Sequence, residues 1–190
     1  IVRARQNGAT PLSIADLESL WQSARNGAEQ TATAIAAAGP FRGLAALTES
    51  DANLYFGRDT AIKKLHDRIV SARNAVSKVV VVTGISGVGK SSLVRAGLAH
   101  LSDVTAEQVP VTDLPTFVLP PSVDRNRIVV ADQFESLFSQ SETTVDDAMS
   151  RLEAVTAGGT VAVLAVRSDF YEQCQRYPLL AEAWEANSVV

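Results

Sequence analysis

Four consecutive valines, Val79–Val82, run through Thr83 into Gly84-Ile85-Ser86-Gly87-Val88-Gly89-Lys90-Ser91, and Ser92 and Leu93 follow. The β-branched run reads as a buried strand, the residues after Ser91 have helical spacing, and the loop between them meets every fixed position of G-x-x-x-x-G-K-[ST]. That strand–loop–helix context is what the motif needs to act as an anion cradle. Glycines let backbone N–H groups point inward at a polyphosphate, and the helix that follows presents its positive end to the same charge. The nucleotide-binding set expected here is Gly84, Ser86, Gly87, Val88, Gly89, Lys90, Ser91 and Ser92. Lys90 is expected at the β- and γ-phosphates, and the Ser91 hydroxyl in the coordination shell of Mg²⁺. The alternative is a chance match in a glycine-rich loop.

A chain of 190 residues holds one α/β domain with an appendage, not two full domains. The division expected is an N-terminal helical segment or linker over residues 1–39 and a nucleotide-binding core over residues 40–190. A net charge of −4 argues against a general nucleic-acid or membrane-surface binder. The apolar runs near Val79 and Val161 are strand-length, far below the ~20 residues of a membrane span, and no signal peptide is visible. Cys174 is the single cysteine, so no internal disulfide can form and a cytoplasmic location is expected. With no His or metal-ligand cluster beside it, Cys174 reads as a small packed residue.

Near the N-terminus, Ser13 and Asp16 resemble a capping box ahead of Ile14, Leu17, Leu20, Trp21 and Ala24, which share a helix face. Because the numbering opens on Ile1, this segment is expected to be the tail or linker of an upstream domain. Residues 40–59 read as irregular with aromatic anchors. Ile62, Leu65, Ile69, Val70 and Val76 then mark an amphipathic helix from about Asp59 to before Lys78, with His66 beside its apolar face as a structural histidine. After the loop, a helix over 91–101 is expected to bury Leu93, Val94, Leu98 and Leu101 and to leave Arg95 and His100 in solvent. A short strand is expected around Val109 to Val111, with little regular structure in the proline-rich passage that follows.

Ile128-Val129-Val130-Ala131 is a continuous apolar run, as a parallel strand covered on both faces should be, and it ends in Asp132. Open α/β sheets place ligand chemistry at such strand tips, which makes Asp132 the candidate Mg²⁺ carboxylate, directly or through a water. The alternative is a helix cap. Glu135 is the nearest carboxylate able to orient or deprotonate an attacking water, or else a surface residue. Thr144 and Asp147 read as the start of a capped helix with Val145, Ala148, Met149, Leu152 and Val155 buried. The apolar strand 160–166 ends in Arg167, placed to read a γ-phosphate or, alternatively, to pair with Asp169. Short helices at 171–174 and 179–186 and a β-like 188–190 complete the pattern: an α/β fold with a parallel sheet of about five strands and helices on both faces.

Five segments carry a closer resemblance: Phe-Arg-Gly-Leu at 41–44, Tyr-Phe-Gly-Arg-Asp at 55–59, the loop continuing as Ser-Ser-Leu-Val-Arg-Ala-Gly-Leu, Asp-Gln-Phe-Glu-Ser-Leu-Phe at 132–138, and Arg-Ser-Asp-Phe at 167–170. Over residues 40–190 the chain resembles a novel STAND NTPase, a signal-transduction ATPase with numerous domains. The resemblance implies a five-stranded P-loop core of the additional-strand class with ATP and Mg²⁺ as ligands. It puts Phe56, Gly57 and Arg58 at the base, Lys90 and Ser91 at phosphate and metal, Asp132 at Mg²⁺, Glu135 near the water, and Arg167 as sensor. It also implies a switch between an effector and a repeat-built sensor, working by ATP-dependent self-association. The chain departs from the family pattern in a shorter passage between the loop helix and Asp132, and in lacking the helical and winged-helix parts that commonly follow the core.

An ATP-binding, slowly hydrolysing switch module is therefore the leading expectation, and a nucleotide-binding scaffold without useful hydrolysis is the alternative. A GTPase is disfavoured because neither Asn-Lys-x-Asp nor Asp-x-x-Gly after the third strand is present, and a small-molecule kinase because no Arg-rich lid is visible.

Overall fold

The valine-rich runs assemble as read, into a sheet buried on both faces. The computed structural model describes residues 46–119, 124 and 126–189; the expected helix at 13–24 and the Phe41–Leu44 segment lie outside them. Strands β1 (Val79–Gly84), β2 (Thr105–Gln108), β3 (Arg127–Ala131), β4 (Val161–Arg167) and β5 (Ser188–Val189) form one five-stranded sheet in the order β2-β3-β4-β1-β5. Every pairing is parallel. The last strand read from sequence thus closes the sheet beside β1.

Alternation along each central strand distributes side chains to two cores. Val79 and Val81, Val129 and Ala131, and Ala162, Leu164 and Val166 point to one; Val80 and Val82, Ile128 and Val130, and Val161, Val163 and Ala165 point to the other. Helices α3 (Glu142–Ala157) and α5 (Pro178–Asn187) cover the first face, through Val145, Met149 and Leu152 and through Leu180 and Ala183. Helix α1 (Asp59–Asn74), through Leu65, Ile69 and Ala72, covers the second. With it lies α2, residues 90–100, an α turn Lys90–Ser92 passing into a π turn Leu93–Gly97 and a 3-10 turn Leu98–His100. A strand covered on both faces has no polar side to show, which is why these strands read as unbroken apolar runs.

A strap precedes α1. Its 3-10 turn Glu49–Leu54 is capped by Thr48, whose N–H and hydroxyl both donate to Asp51 at 3.0 and 2.7 Å, and it lies across α2. Gly97 makes that crossing possible, because a Cβ there would sit 3.0 Å from Leu93 Cδ1 and 3.2 Å from Tyr55 Cε1. Short α4 (Tyr171–Cys174) follows β4. At the foot of the sheet the buried Asn187 donates to the carbonyls of Val79 at 3.2 Å and Ser77 at 3.4 Å, tying the end of α5 to the start of β1.

Several expectations need correction. The second strand is Thr105–Gln108 rather than 109–111: Val109 N still reaches Val130 O at 2.8 Å, but Pro110 has no N–H to continue the ladder. The passage after it is not featureless, since Val111–Thr116 forms a 3-10 turn that buries Val111 and Leu114. Helix α3 is capped by Ser141, whose Oγ accepts from Thr144 N, so the helix begins at Glu142 and not at Thr144. Val76 lies past the end of α1 and is 96% exposed, and Leu101 is only partly buried. His66 is structural as expected, with Nε2 at 2.9–3.0 Å from both carboxylate oxygens of Asp103.

Cys174 is 2% exposed, and burial, assisted by the Glu135 carboxylate, pushes its thiol up to about 12. The thiol is therefore neutral throughout the physiological range, and native protein should resist iodoacetamide at pH 8, with labelling tracking denaturant-induced unfolding; fast stoichiometric labelling of native protein would contradict this placement. Leu152, 1% exposed and remote from the strand tips, offers a second check: Leu152→Ala should cost about 2–5 kcal/mol in urea unfolding.

Candidate functional site

Because β4 lies between β1 and β3, the three longest strands end side by side. Gly84 pairs with Arg167, Val82 with Ala165 and Ala131 with Leu164, so the loop after β1, the residue after β3 and the end of β4 meet at one edge of the sheet. Residues 85–88 are exposed. Gly87 and Gly89 take φ of +79° and +100°, the left-handed region that glycine enters without a Cβ penalty. Lys90 folds back across the loop, and its Nζ donates to Gly84 O and Ile85 O, both at 2.9 Å.

Ser91 Oγ donates to Asp132 Oδ1 at 2.9 Å, joining the first turn of α2 to the tip of β3. The same oxygen accepts from Gln133 N at 2.9 Å, and Gln133 is the one non-glycine residue with positive φ among those described, at +56°. This turn launches the 3-10 helix Phe134–Ser139, whose Phe134 and Leu137 are fully buried. Asp132 therefore holds the turn after β3 and touches Ser91 at once. Its other oxygen, Oδ2, lies 2.9 Å from a guanidinium nitrogen of Arg95, out of hydrogen-bonding alignment, with the Asp132 side chain 6% exposed. Arg95, expected in solvent, is instead the counter-ion of the candidate metal carboxylate. The signal was available: Arg95 follows Ser91 by four residues and so shares its helix face.

At the tip of β4, Arg167 makes a two-pronged contact with Asp169, Nε to Oδ1 at 3.1 Å and Nη2 to Oδ2 at 2.6 Å, and its guanidinium lies 5.8 Å from the Phe170 ring centre. That hydrogen bond from Arg167 is the main cause holding the Asp169 carboxyl below its usual range, and the charge of Lys90 also contributes. Glu135 Oε2 accepts from Arg167 N at 3.3 Å, which fixes this carboxylate beside the β4 tip. Lys90, Glu135, Arg167 and Asp169 thus form one charged group around the loop. The ion pair with Asp169, which uses Nε and Nη2 of the guanidinium, is the structural alternative raised for Arg167.

The remaining expected residues line the strap side. Arg58 donates to Val88 O at 3.3 Å, Gly57 takes φ +73°, and Phe56 is 67% exposed. Ser92 faces the strap, its Oγ accepting from Leu47 N at 3.1 Å. That ties its hydroxyl to the strap backbone.

The donor set suits a hard divalent cation bound together with phosphate. A hydroxyl and a carboxylate meet at hydrogen-bond distance, and one buried carboxylate oxygen, Asp132 Oδ2, has no hydrogen-bond donor. Mg²⁺ characteristically takes one or two carboxylates and fills its octahedron with phosphate oxygens and water. No cluster of three or more His, Cys, Asp or Glu that could hold a metal exists among the described residues. No helix among them is long and apolar enough to cross a membrane.

A comparison with curated proteins returns no match. A protein-family profile does match, in two overlapping stretches, residues 40–122 and 102–190, and its description is Novel STAND NTPase 1. Both stretches contain part of the site: the first holds the glycine loop and the strap, the second Asp132, Glu135 and Arg167. With the parallel α/β sheet and the loop at its edge, this match places the chain in the novel STAND NTPase 1 family.

Proposed function

We propose that this chain is the ATP-binding, slowly hydrolysing switch of a multidomain regulatory protein. Membership of an NTPase family supports nucleotide binding. The observation that carries the finer reading is the 2.9 Å hydrogen bond from Ser91 to Asp132, which puts a loop hydroxyl and a strand-tip carboxylate where a metal–phosphate complex would share them. Backbone N–H groups of residues 86–91 hold the phosphates, and Lys90 Nζ exchanges its two carbonyl acceptors for β- and γ-phosphate oxygens. Ser91 and Asp132 would hold Mg²⁺, which would supply charge neutralisation to the phosphates. Phe56, Gly57 and Arg58 flank the base. Glu135 orients the attacking water, and Arg167 trades Asp169 for the γ-phosphate.

In this reading Arg167 gives ATP a different affinity for two conformations, as any ligand-driven switch requires. A charge-assisted contact is worth about 1.5–3 kcal/mol. Moving a two-state equilibrium from 1:99 to 99:1 takes roughly 5.5 kcal/mol. The balance has to come from further domain or subunit contacts. The alternative, a nucleotide-binding scaffold without useful hydrolysis, shares every residue except Glu135.

Lys90→Ala should abolish most ATP affinity in isothermal titration while leaving the thermal transition near that of the parent, because it removes a point charge and no core volume. A folded variant that binds as the parent does would refute the assignment. Glu135→Gln should keep ATP affinity and lower turnover about 10²-fold or more. Unchanged turnover would return Glu135 to a purely structural role. In sedimentation, residues 1–190 should stay monomeric or weakly associating with either nucleotide, whereas the longer protein should assemble with ATP and lose that response in Arg167→Ala. A stable ATP-specific oligomer of residues 1–190 alone would contradict it.

A further inference from the structure

Two positive groups have a claim on one carboxylate. Asp132 Oδ1 is committed to Ser91 Oγ and Gln133 N, while Oδ2 is buried, has no hydrogen-bond donor among the described residues and lies 2.9 Å from the Arg95 guanidinium. The partners are unequally held. The Asp132 side chain is 6% exposed and fixed by the β3 turn, whereas that of Arg95, within the π turn Leu93–Gly97, is 39% exposed. Arg95 also has somewhere to go. It lines, together with Asp132, a cavity of about 520 Å³ between α2, the strap and the end of β2, and Glu49 lines the same cavity.

We infer that Arg95 is an exchangeable counter-ion: it neutralises Asp132 in the metal-free protein and turns into the cavity toward Glu49 when Asp132 takes up Mg²⁺. The inference rests on the reading of Asp132 as the metal carboxylate. Arg95 touches neither phosphate nor water in this scheme and is a positioning residue. A buried carboxylate stripped of its counter-charge is costly, so the protein keeps an internal cation in place until a better one arrives. The guanidinium pairs without aligned N–H bonds, so the hold is Coulombic and surrenders to a divalent ion at close range. Metal binding is thereby coupled to the strap, because Thr48 and Glu49, which receive the displaced side chain, open the turn that crosses α2.

Arg95→Gln in the 190-residue chain tests this without recourse to turnover. In thermal unfolding without nucleotide, the variant should melt ~3–6 °C below the parent, and millimolar Mg²⁺ should recover most of the loss while leaving the parent unmoved. The double variant Arg95→Gln/Asp132→Asn, with no charge left to balance, should melt near the parent and ignore Mg²⁺. When a fluorescent ATP analogue is titrated, the Mg²⁺ concentration giving half-maximal affinity should fall about 2- to 5-fold in Arg95→Gln, the ratio set by losing one partly exposed ion pair. Arg95→Lys should fall between the two, and it carries the same test if the glutamine variant does not fold. Parental Mg²⁺ responses in both measurements would overturn the inference while leaving the nucleotide assignment intact. A parent that binds no nucleotide at any Mg²⁺ level would overturn the nucleotide assignment, and the unfolding comparison would still decide the role of Arg95.

Discussion

A parallel strand needs cover on both faces, and the site exists because this sheet meets that demand with β4 inserted between β1 and β3. The insertion separates the two strands that end in the phosphate loop and in Asp132 by one strand width, and fills the gap with the strand that ends in Arg167. Helices α1 and α2 cover one face and α3 and α5 the other, so the strand tips are the edge left to solvent where side chains from three strands converge. Open α/β sheets bind ligands there because the tips combine a rigid base with loops free to vary. The cores on either side contain the apolar residues; the tips gather Lys90, Asp132, Glu135, Arg167 and Asp169.

The charges at that edge are arranged in pairs, each with a polar alternative. Lys90 rests on two loop carbonyls, Arg167 on Asp169, and Asp132 on Ser91 and Arg95. Exposed pairs such as Arg167–Asp169 contribute little to stability and are easily exchanged. The buried Asp132 differs, because a charge there must always be balanced. In the proposed reading, weak exposed pairs around one strongly demanding carboxylate let the site reorganise when a polyanion and a divalent cation enter together.

Much of this was legible in the sequence, for reasons particular to each element. Strands β1, β3 and β4 announced themselves because burial on both faces leaves unbroken valine-rich runs, and the loop because phosphate cradling fixes glycine, lysine and serine at set spacings. Strand β2 did not: Thr105–Gln108 is an edge strand with mostly exposed side chains, so it has no apolar pattern, and its pairing is supported by β3 backbone and by the Glu107–Arg127 contact across the pair. The cap of α3 lies three residues before the Thr144 read from sequence, because Ser141 and Thr144 are both competent caps and only the side-chain geometry distinguishes them. Arg95 reads as solvated because a lone arginine on a helix usually is; its spacing of four from Ser91 is the one local signal, and its partner Asp132 lies 37 residues away in sequence. The left-handed Gln133 carried no signal at all, since glutamine is not a residue that advertises positive φ.

In the proposed reading the three strand tips form one adenine-nucleotide site that takes up Mg²⁺ together with the phosphates. Native mass spectrometry of the 190-residue chain, incubated with equimolar ATP and GTP with and without Mg²⁺, tests it most directly. The account predicts a single added mass of ATP or ADP with Mg²⁺, lost from Lys90→Ala. A chain that gains no nucleotide, or that takes GTP as readily as ATP, would contradict it.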